Sequence, residues 1–172
     1  MRTLLRRTGG LALAVAGLVA CSKDAGKRAA PAEATPAVTR RVAACSLVTE
    51  AEVGQAVGRA VVNATAHDTI FEPGYWSSSC AFRLAGPAPA GVVTVGTSGD
   101  YPTVMDGAEL ADAVSAEAMG ISARPLDGLS LPAAIYPDTG VVVQKGAVRL
   151  LVTGAPRDAI TALASTAASR LP

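Results

Sequence analysis

Apolar and polar positions divide the chain into a hydrophobic start, a polar connection and a longer folded part. An apolar run from Leu11 to Ala20 follows a short stretch with three arginines and ends at Cys21. The next twenty or so residues are small, charged or proline and show no apolar periodicity, which is typical of a flexible tether. We therefore expect a signal peptide at 1–20, a modified cysteine and tether at 21–42, and a single globular domain at 43–172.

Three stretches of the folded part have the apolar spacing of a helix that packs against a core. The first contains the capping box Thr49-x-x-Glu52 and ends at Gly58. The second is expected to begin at Thr103, and the third begins at Pro156, where a missing N–H is tolerated. The predicted inner positions are Val53, Ala56 and Val57; Val104, Ala108, Ala111, Val114 and Ala118; and Ile160, Leu163, Ala164, Ala167 and Leu171.

Strand-like runs lie between these helices. The predicted strands are Ala60–Ala64, Ser79–Leu84, Gly91–Thr97, Ile121–Arg124, Ala133–Tyr136, Val141–Gln144 and Ala147–Thr153. Gly86–Ala90 is expected to be a hairpin loop, and Lys145-Gly146 is expected to be a tight turn. Strands joined in this way predict an α+β fold, with an antiparallel sheet of about five to seven strands covered by about three helices.

The end of the apolar run carries the first chemical signal. Leu18-Val19-Ala20-Cys21 resembles the bacterial lipobox, which implies a diacylglyceryl group on Cys21 and cleavage just before it. The resemblance implies an exported protein that is lipid-anchored to a bacterial membrane, in the cell envelope outside the cytoplasm. A plain signal peptide with a chance cysteine is the alternative, and a spanning helix would need a run of roughly 20 apolar residues.

The composition of the chain indicates a disulfide bond and does not favour nucleic acid as a partner. Aromatic residues make up only 3% of the chain, so a covalent link would help a core built from aliphatic side chains. Lipidation of Cys21 leaves Cys45 and Cys80 as a pair, which predicts one disulfide; two separate buried thiols are the alternative. Three of the 15 basic residues lie in 1–20, leaving 12 against 14 acidic residues, a balance that does not point to nucleic acid.

The whole plan resembles a group of small bacterial lipoproteins of unknown function. Their opening helix has the form CSLLT-x-AEV-x-x-x-LG, and some are similar to the Mog1/PsbP-like fold, an antiparallel sheet covered by helices that serves mostly as a binding or accessory module. Their pattern has a Gly-Asp pair directly after Gly-Leu. This chain has Ser130-Leu131 at those two positions, so any function of the Gly-Asp pair is not implied for it. The matching pieces are Cys45-Ser46-Leu47-Val48-Thr49, Ala51-Glu52-Val53, Gly58, Cys80-Ala81-Phe82, Gly128-Leu129 and Lys145-Gly146.

The stretch FEPGYWSSSC concentrates three of the chain's six aromatic residues beside the predicted disulfide. Phe71, Tyr75 and Trp76 flank the turn signal Pro73-Gly74, so they are expected on a loop. Exposed there, they would form a binding patch, since Trp and Tyr are enriched at interaction hot spots. The alternative is that they fold over the disulfide and cover the core.

Nothing in the chain predicts a catalytic or metal site. His67 is the only histidine and is expected in a solvated loop, and Gly96–Asp100 only approaches the G-x-S-x-G pattern of hydrolases. We expect a non-enzymatic binding or accessory module without cofactor or metal, bound to the membrane through Cys21 and contacting an envelope protein or a small apolar ligand. The alternatives are a passive structural or stress-related lipoprotein without a ligand and, more remotely, an unrecognised hydrolase.

Overall fold

The computed structural model describes residues 40–172 apart from 73–74, 88–90, 100, 102–104, 119–120 and 138–139. The side chains of residues 70–72 also lie outside this description. All the described residues belong to one compact unit of the chain, Pro36–Pro172. The predicted signal peptide, Cys21 and most of the predicted tether fall outside the described residues.

A seven-stranded antiparallel sheet forms the centre of this unit, with strand order β1-β2-β3-β7-β6-β5-β4. The predicted α+β fold, an antiparallel sheet covered by three helices and holding one disulfide, is confirmed. In chain order the elements are a 3-10 helix Ala44–Ser46, α1 Glu50–Val57, β1 Val61–Glu72, β2 Tyr75–Leu84, β3 Val92–Ser98, α2 Gly107–Glu117, β4 Arg124–Pro125, β5 Ala133–Tyr136, β6 Gly140–Lys145, β7 Val148–Thr153 and α3 Arg157–Ser169.

The two faces of the sheet are covered differently. Alternate side chains of β2, β3 and β5–β7 form the main core with α1, α3 and the 3-10 helix, and we call this side the core face. On the opposite side, α2 packs on β4 and β5, where Leu110, Ala111 and Val114 contact Ala134 and Val142. No helix among the described elements covers β1, β2 and β3 on that opposite side.

The first helix ends where the sequence predicts. The Thr49 side chain accepts from the Glu52 N–H, and the Glu52 carboxylate accepts from the Thr49 N–H at 2.8 Å. Glu52 also accepts from the Arg170 guanidinium at 2.5 Å, so α1 is tied to the residue that follows α3. That hydrogen bond, followed by the one from the Thr49 N–H, lowers the pKa of Glu52 to about 2. Gly58 ends α1 in the left-handed region, with φ 66°.

The prediction for the first two strands is wrong in length. They were expected to leave residues 65–78 outside the two strands, but β1 and β2 continue towards each other and pair from Val61–Leu84 to Glu72–Tyr75. The cause is that residues 62–69 are exposed, so no apolar alternation marks them as a strand. His67 consequently lies in a strand and not in a loop.

The second helix begins later than expected. Thr103 lies outside the described residues, and the N-cap is Asp106, whose carboxylate accepts from the Ala108 and Glu109 N–H groups. Ala111 and Val114 of α2 are buried as predicted, but Leu110 is also fully buried and Ala108 is exposed, so the inner stripe differs from the prediction at these two positions. None of the described helices has the length and apolar character required to cross a bilayer.

Candidate binding site

The disulfide joins the segment before α1 to the middle of β2. Cys45 and Cys80 are bonded, with Cα atoms 5.0 Å apart, which confirms the predicted pair. Two hydrogen bonds hold the same segment on the core face: the Ala44 N–H donates to Ser78 Oγ at 3.0 Å, and the Thr97 hydroxyl donates to the Val42 carbonyl at 2.7 Å. Val42 and Ala44 are therefore fixed to the core face next to the disulfide.

Tyr75 and Trp76 do not form one surface patch. Successive side chains of a strand point to opposite faces, so β2 directs Tyr75 away from the core and Trp76 into it. Trp76 is 6% exposed and Tyr75 is 42% exposed. The backbone of Phe71 belongs to β1, and its side chain lies outside the described residues. For Trp76 the structure therefore supports the alternative in which the side chain covers the core.

The indole of Trp76 lies against the backbone of Gly99. The Gly99 N–H donates to the Trp76 carbonyl at 3.1 Å, and a Cβ at residue 99 would collide with indole Nε1. That nitrogen is buried without a hydrogen-bond partner. A buried donor without an acceptor lowers stability, so the packing of the ring has to outweigh this loss.

Tyr75 belongs to a polar cluster at one end of the opposite face. A hydrogen bond with the Tyr101 hydroxyl, followed by partial burial, raises the pKa of Tyr75. The Tyr101 hydroxyl also lies 3.2 Å from Ser98 Oγ at the end of β3. The Tyr75 ring is thus fixed in orientation while a large part of it faces solvent, an arrangement common in contact residues.

A buried arginine holds this cluster together, and the sequence analysis missed it. Arg149 is 5% exposed and donates to Glu117 at 2.7 Å and to Gln144 at 3.3 Å. Its guanidinium lies over the Tyr101 ring, 3.7 Å from the centroid. Because Glu117 is at the end of α2, Arg149 ties that helix to β7. The available signal was a charged residue within the apolar strand Val148–Thr153, a position that requires a partner.

The uncovered side of β1, β2 and β3, together with the adjoining Leu151 of β7, is a mixed polar and apolar surface that we call the open face. Tyr75, Val92 and Leu151 are three of its exposed apolar side chains, at 42%, 43% and 39% exposure. His67 and Arg83 add polar groups and border a depression of about 280 Å³. By strand register the face consists of Asn63, Thr65, His67, Thr69, Tyr75, Ser77, Ser79, Ala81, Arg83, Val92, Thr94, Gly96, Ser98 and Leu151.

Strand β1 borders the open face and is an edge of the sheet, with β2 as its single neighbour in the strand order. Residues 62–69 are exposed, although they belong to a regular strand of 12 residues. An ion pair between Arg41 and Asp68 is the one described charge contact along this stretch. An edge of this kind presents unpaired backbone N–H and C=O groups that can accept another strand.

The contacts of His67 are those of a surface residue. Ser79 Oγ lies 3.4 Å from the His67 backbone carbonyl, and within the described part of the chain no hydroxyl or carboxylate is hydrogen-bonded to the imidazole. Asp68 pairs with Arg41 and, as the next residue of the strand, points to the other face. Among the described residues there is also no group of three His, Cys, Asp or Glu side chains that could hold a metal.

Comparisons of the chain with protein-family models, with curated proteins and with solved structures find no match. The resemblance to small lipoproteins and to the Mog1/PsbP-like fold therefore stays a prediction from the sequence.

Proposed function

We propose that this protein is exported, anchored to a bacterial membrane through a lipid on Cys21, and works there as a non-enzymatic binding module. Its partner is an envelope protein that contributes an extended segment to strand β1. The Cys45–Cys80 disulfide supports export, because such bonds persist in oxidising compartments and are rare in the cytosol.

The exposure of residues 62–69 in β1 carries the binding part of the proposal. A long, accessible edge promotes unwanted strand pairing, and proteins usually protect such edges with charges, bulges or a covering element. The one acidic residue of 62–69, Asp68, is paired with Arg41. Here the register shifts lie at the two ends of the β1–β2 pairing, between Val61 and Asn63 and between Ile70 and Glu72, and leave the middle of the strand regular. A regular and accessible edge is suited to a partner strand.

The open face favours a protein partner over a small ligand on this side. The depression on this face is lined mainly by polar side chains, whereas small-molecule sites are lined predominantly by apolar ones. Side chains of an added strand would extend the open face past β1. The rigidly held Tyr75 ring lies on the same face and offers an aromatic contact for a larger partner.

In-cell photocrosslinking tests this surface. A crosslinking amino acid at Thr65, exposed in β1, is expected to capture a partner protein that the same group at Ser165, exposed on α3, does not capture. Ala66→Lys should remove the crosslink, because a charged side chain on an edge strand discourages strand addition. Ala162→Lys on α3 adds the same charge to an exposed helix position and should leave the crosslink unchanged. Equal capture at Thr65 and Ser165, or a crosslink that resists Ala66→Lys, would contradict the proposal.

The anchor is tested separately. Cys21→Ser should release the protein from the membrane fraction and abolish incorporation of a labelled fatty acid, whereas Ser22→Ala should change neither. Membrane retention of Cys21→Ser would show that the lipobox interpretation is wrong.

One observation favours the alternative of a passive envelope lipoprotein. Trp76 is buried, so the aromatic patch predicted from the sequence is reduced to Tyr75 among its described side chains. The crosslinking experiment distinguishes a passive lipoprotein from a binding module, because a passive protein would show no partner specific to β1.

A further inference from the structure

We infer that the cavity between the start of α3 and strands β4 and β5 is a binding site for a small organic anion, with one carboxylate group and a short apolar chain. The cavity has a volume of about 180 Å³. Its walls include Arg124 from β4 and Arg157 from the first turn of α3, and its apolar lining includes Ile135 and Ile160. It lies on the core face, because Ile135 and Ile160 belong to the main core, and is therefore separate from the open face.

Arg124 and Arg157 carry charges that no carboxylate among the described residues neutralises. Arg41, Arg149 and Arg170 each form an ion pair with a carboxylate. Within the described part of the chain, no carboxylate lies at ion-pair distance from Arg124 or Arg157. Both residues border the same cavity with a positive charge, so an anion in the cavity would be attracted by both.

The chemistry of the walls selects a carboxylate. A guanidinium presents paired N–H groups that match the two oxygens of a carboxylate, and two such groups can hold it from separate walls. The N-terminus of α3 has no side-chain cap and carries partial positive charge, which Asp158 in the first turn offsets in part. This contribution is secondary to the two side-chain charges.

The apolar lining and the size of the cavity limit the rest of the ligand. Ile135 is 5% exposed and Ile160 is 3% exposed, so both are held firmly by the core. Their surface favours a hydrocarbon group next to the carboxylate. The volume of about 180 Å³ is below the range of roughly 300–1,000 Å³ found for drug-sized ligands, so the chain must be short.

A titration of the full chain, with its disulfide intact, tests the site. Butyrate is added, and its binding is followed by NMR through the backbone amide resonances of Arg157 and Ile160. Neutral butyramide is the matched control ligand, and inorganic phosphate is a ligand with charge but no apolar group. Butyrate is expected to shift both resonances at millimolar concentration, and butyramide is not. Equal shifts with butyramide would overturn the role of the charges, and phosphate binding as tight as butyrate would overturn the role of the apolar lining.

Variants assign the binding to the two arginines. Arg124→Gln and Arg157→Gln should each weaken butyrate binding by at least about tenfold, because each removes a charge-assisted hydrogen bond to the carboxylate. Arg83→Gln, an exposed arginine on the open face, removes the same charge elsewhere and should leave the affinity unchanged. Arg124 and Arg157 are also exposed, so their variants should fold normally. An equal loss of butyrate affinity in Arg83→Gln would show that only the net charge of the protein matters, and this would refute the site.

Discussion

Replacement of Trp76 tests whether this side chain belongs to the core or to a binding surface. Burial of an aromatic side chain of about 150–250 Å², at about 25 cal/mol per Å², stabilises by roughly 4–6 kcal/mol. The unpaired Nε1 of Trp76 opposes this by about 1–3 kcal/mol, because a buried donor loses its bond to water. We therefore expect Trp76→Ala to lower the free energy of unfolding by about 3 kcal/mol. Trp76→Phe removes the unpaired donor and keeps an aromatic ring, so it should cost less than about 1 kcal/mol.

Urea unfolding of the oxidised protein measures both variants, with Tyr75→Ala as the control for an exposed neighbour. That control should cost about 1 kcal/mol, the usual contribution of one hydrogen bond. Trp76 is the only tryptophan of the chain, so its fluorescence reports directly on its surroundings. The emission should be blue-shifted and shielded from a soluble quencher in the native state. A quenchable indole, together with a Trp76→Ala variant of unchanged stability, would refute the core assignment and return Trp76 to the candidate binding surface.

Two further changes test the packing of the domain. Replacing Gly154 (φ 86°) or Gly128 (φ 92°) by Ala puts a side chain in the left-handed region, which should cost about 1–2 kcal/mol at either position. Only at Gly154 would the new Cβ also collide with the Val92 carbonyl, which should add about 1–3 kcal/mol. Equal losses of stability in urea unfolding would contradict this contact. Because the pKa of Glu52 falls from 4.5 to about 2 in the folded state, its bond with Arg170 stabilises above pH 4.5 and is lost as the pH falls towards 2. Glu52→Gln should flatten the dependence of the urea midpoint on pH in this window, and an unchanged dependence would show that the ion pair does not contribute.

The Trp76→Ala prediction also changes the design of partner searches. A variant that destabilises the core reduces any interaction indirectly, so loss of a partner in Trp76→Ala would not identify a contact. Exposed positions in β1 avoid this difficulty because their side chains are not part of the core.

Features with local causes could be predicted from the sequence. Helix α1 was found because the Thr49–Glu52 capping box and Gly58 mark its two ends within ten residues of one another. The third helix was found in the same way, from Pro156 and the spacing of its apolar residues. The disulfide followed from the number of cysteines once Cys21 was assigned to the lipid. Each of these signals depends on neighbours in the chain or on a simple count.

The candidate sites required the tertiary structure. Pairing with β2 extends β1 through exposed residues that have no apolar pattern, and the resulting strand places Tyr75 and Trp76 on opposite faces. Arg149 meets Glu117 from a different element, and the cavity arginines come from β4 and α3. The sequence by itself determined both ends of α1, the start of α3, the cross-link and the kind of fold, because these follow from local signals or from a residue count. Only the tertiary structure decided which polar groups converge and which faces stay open, because that depends on contacts between segments that are distant in the chain.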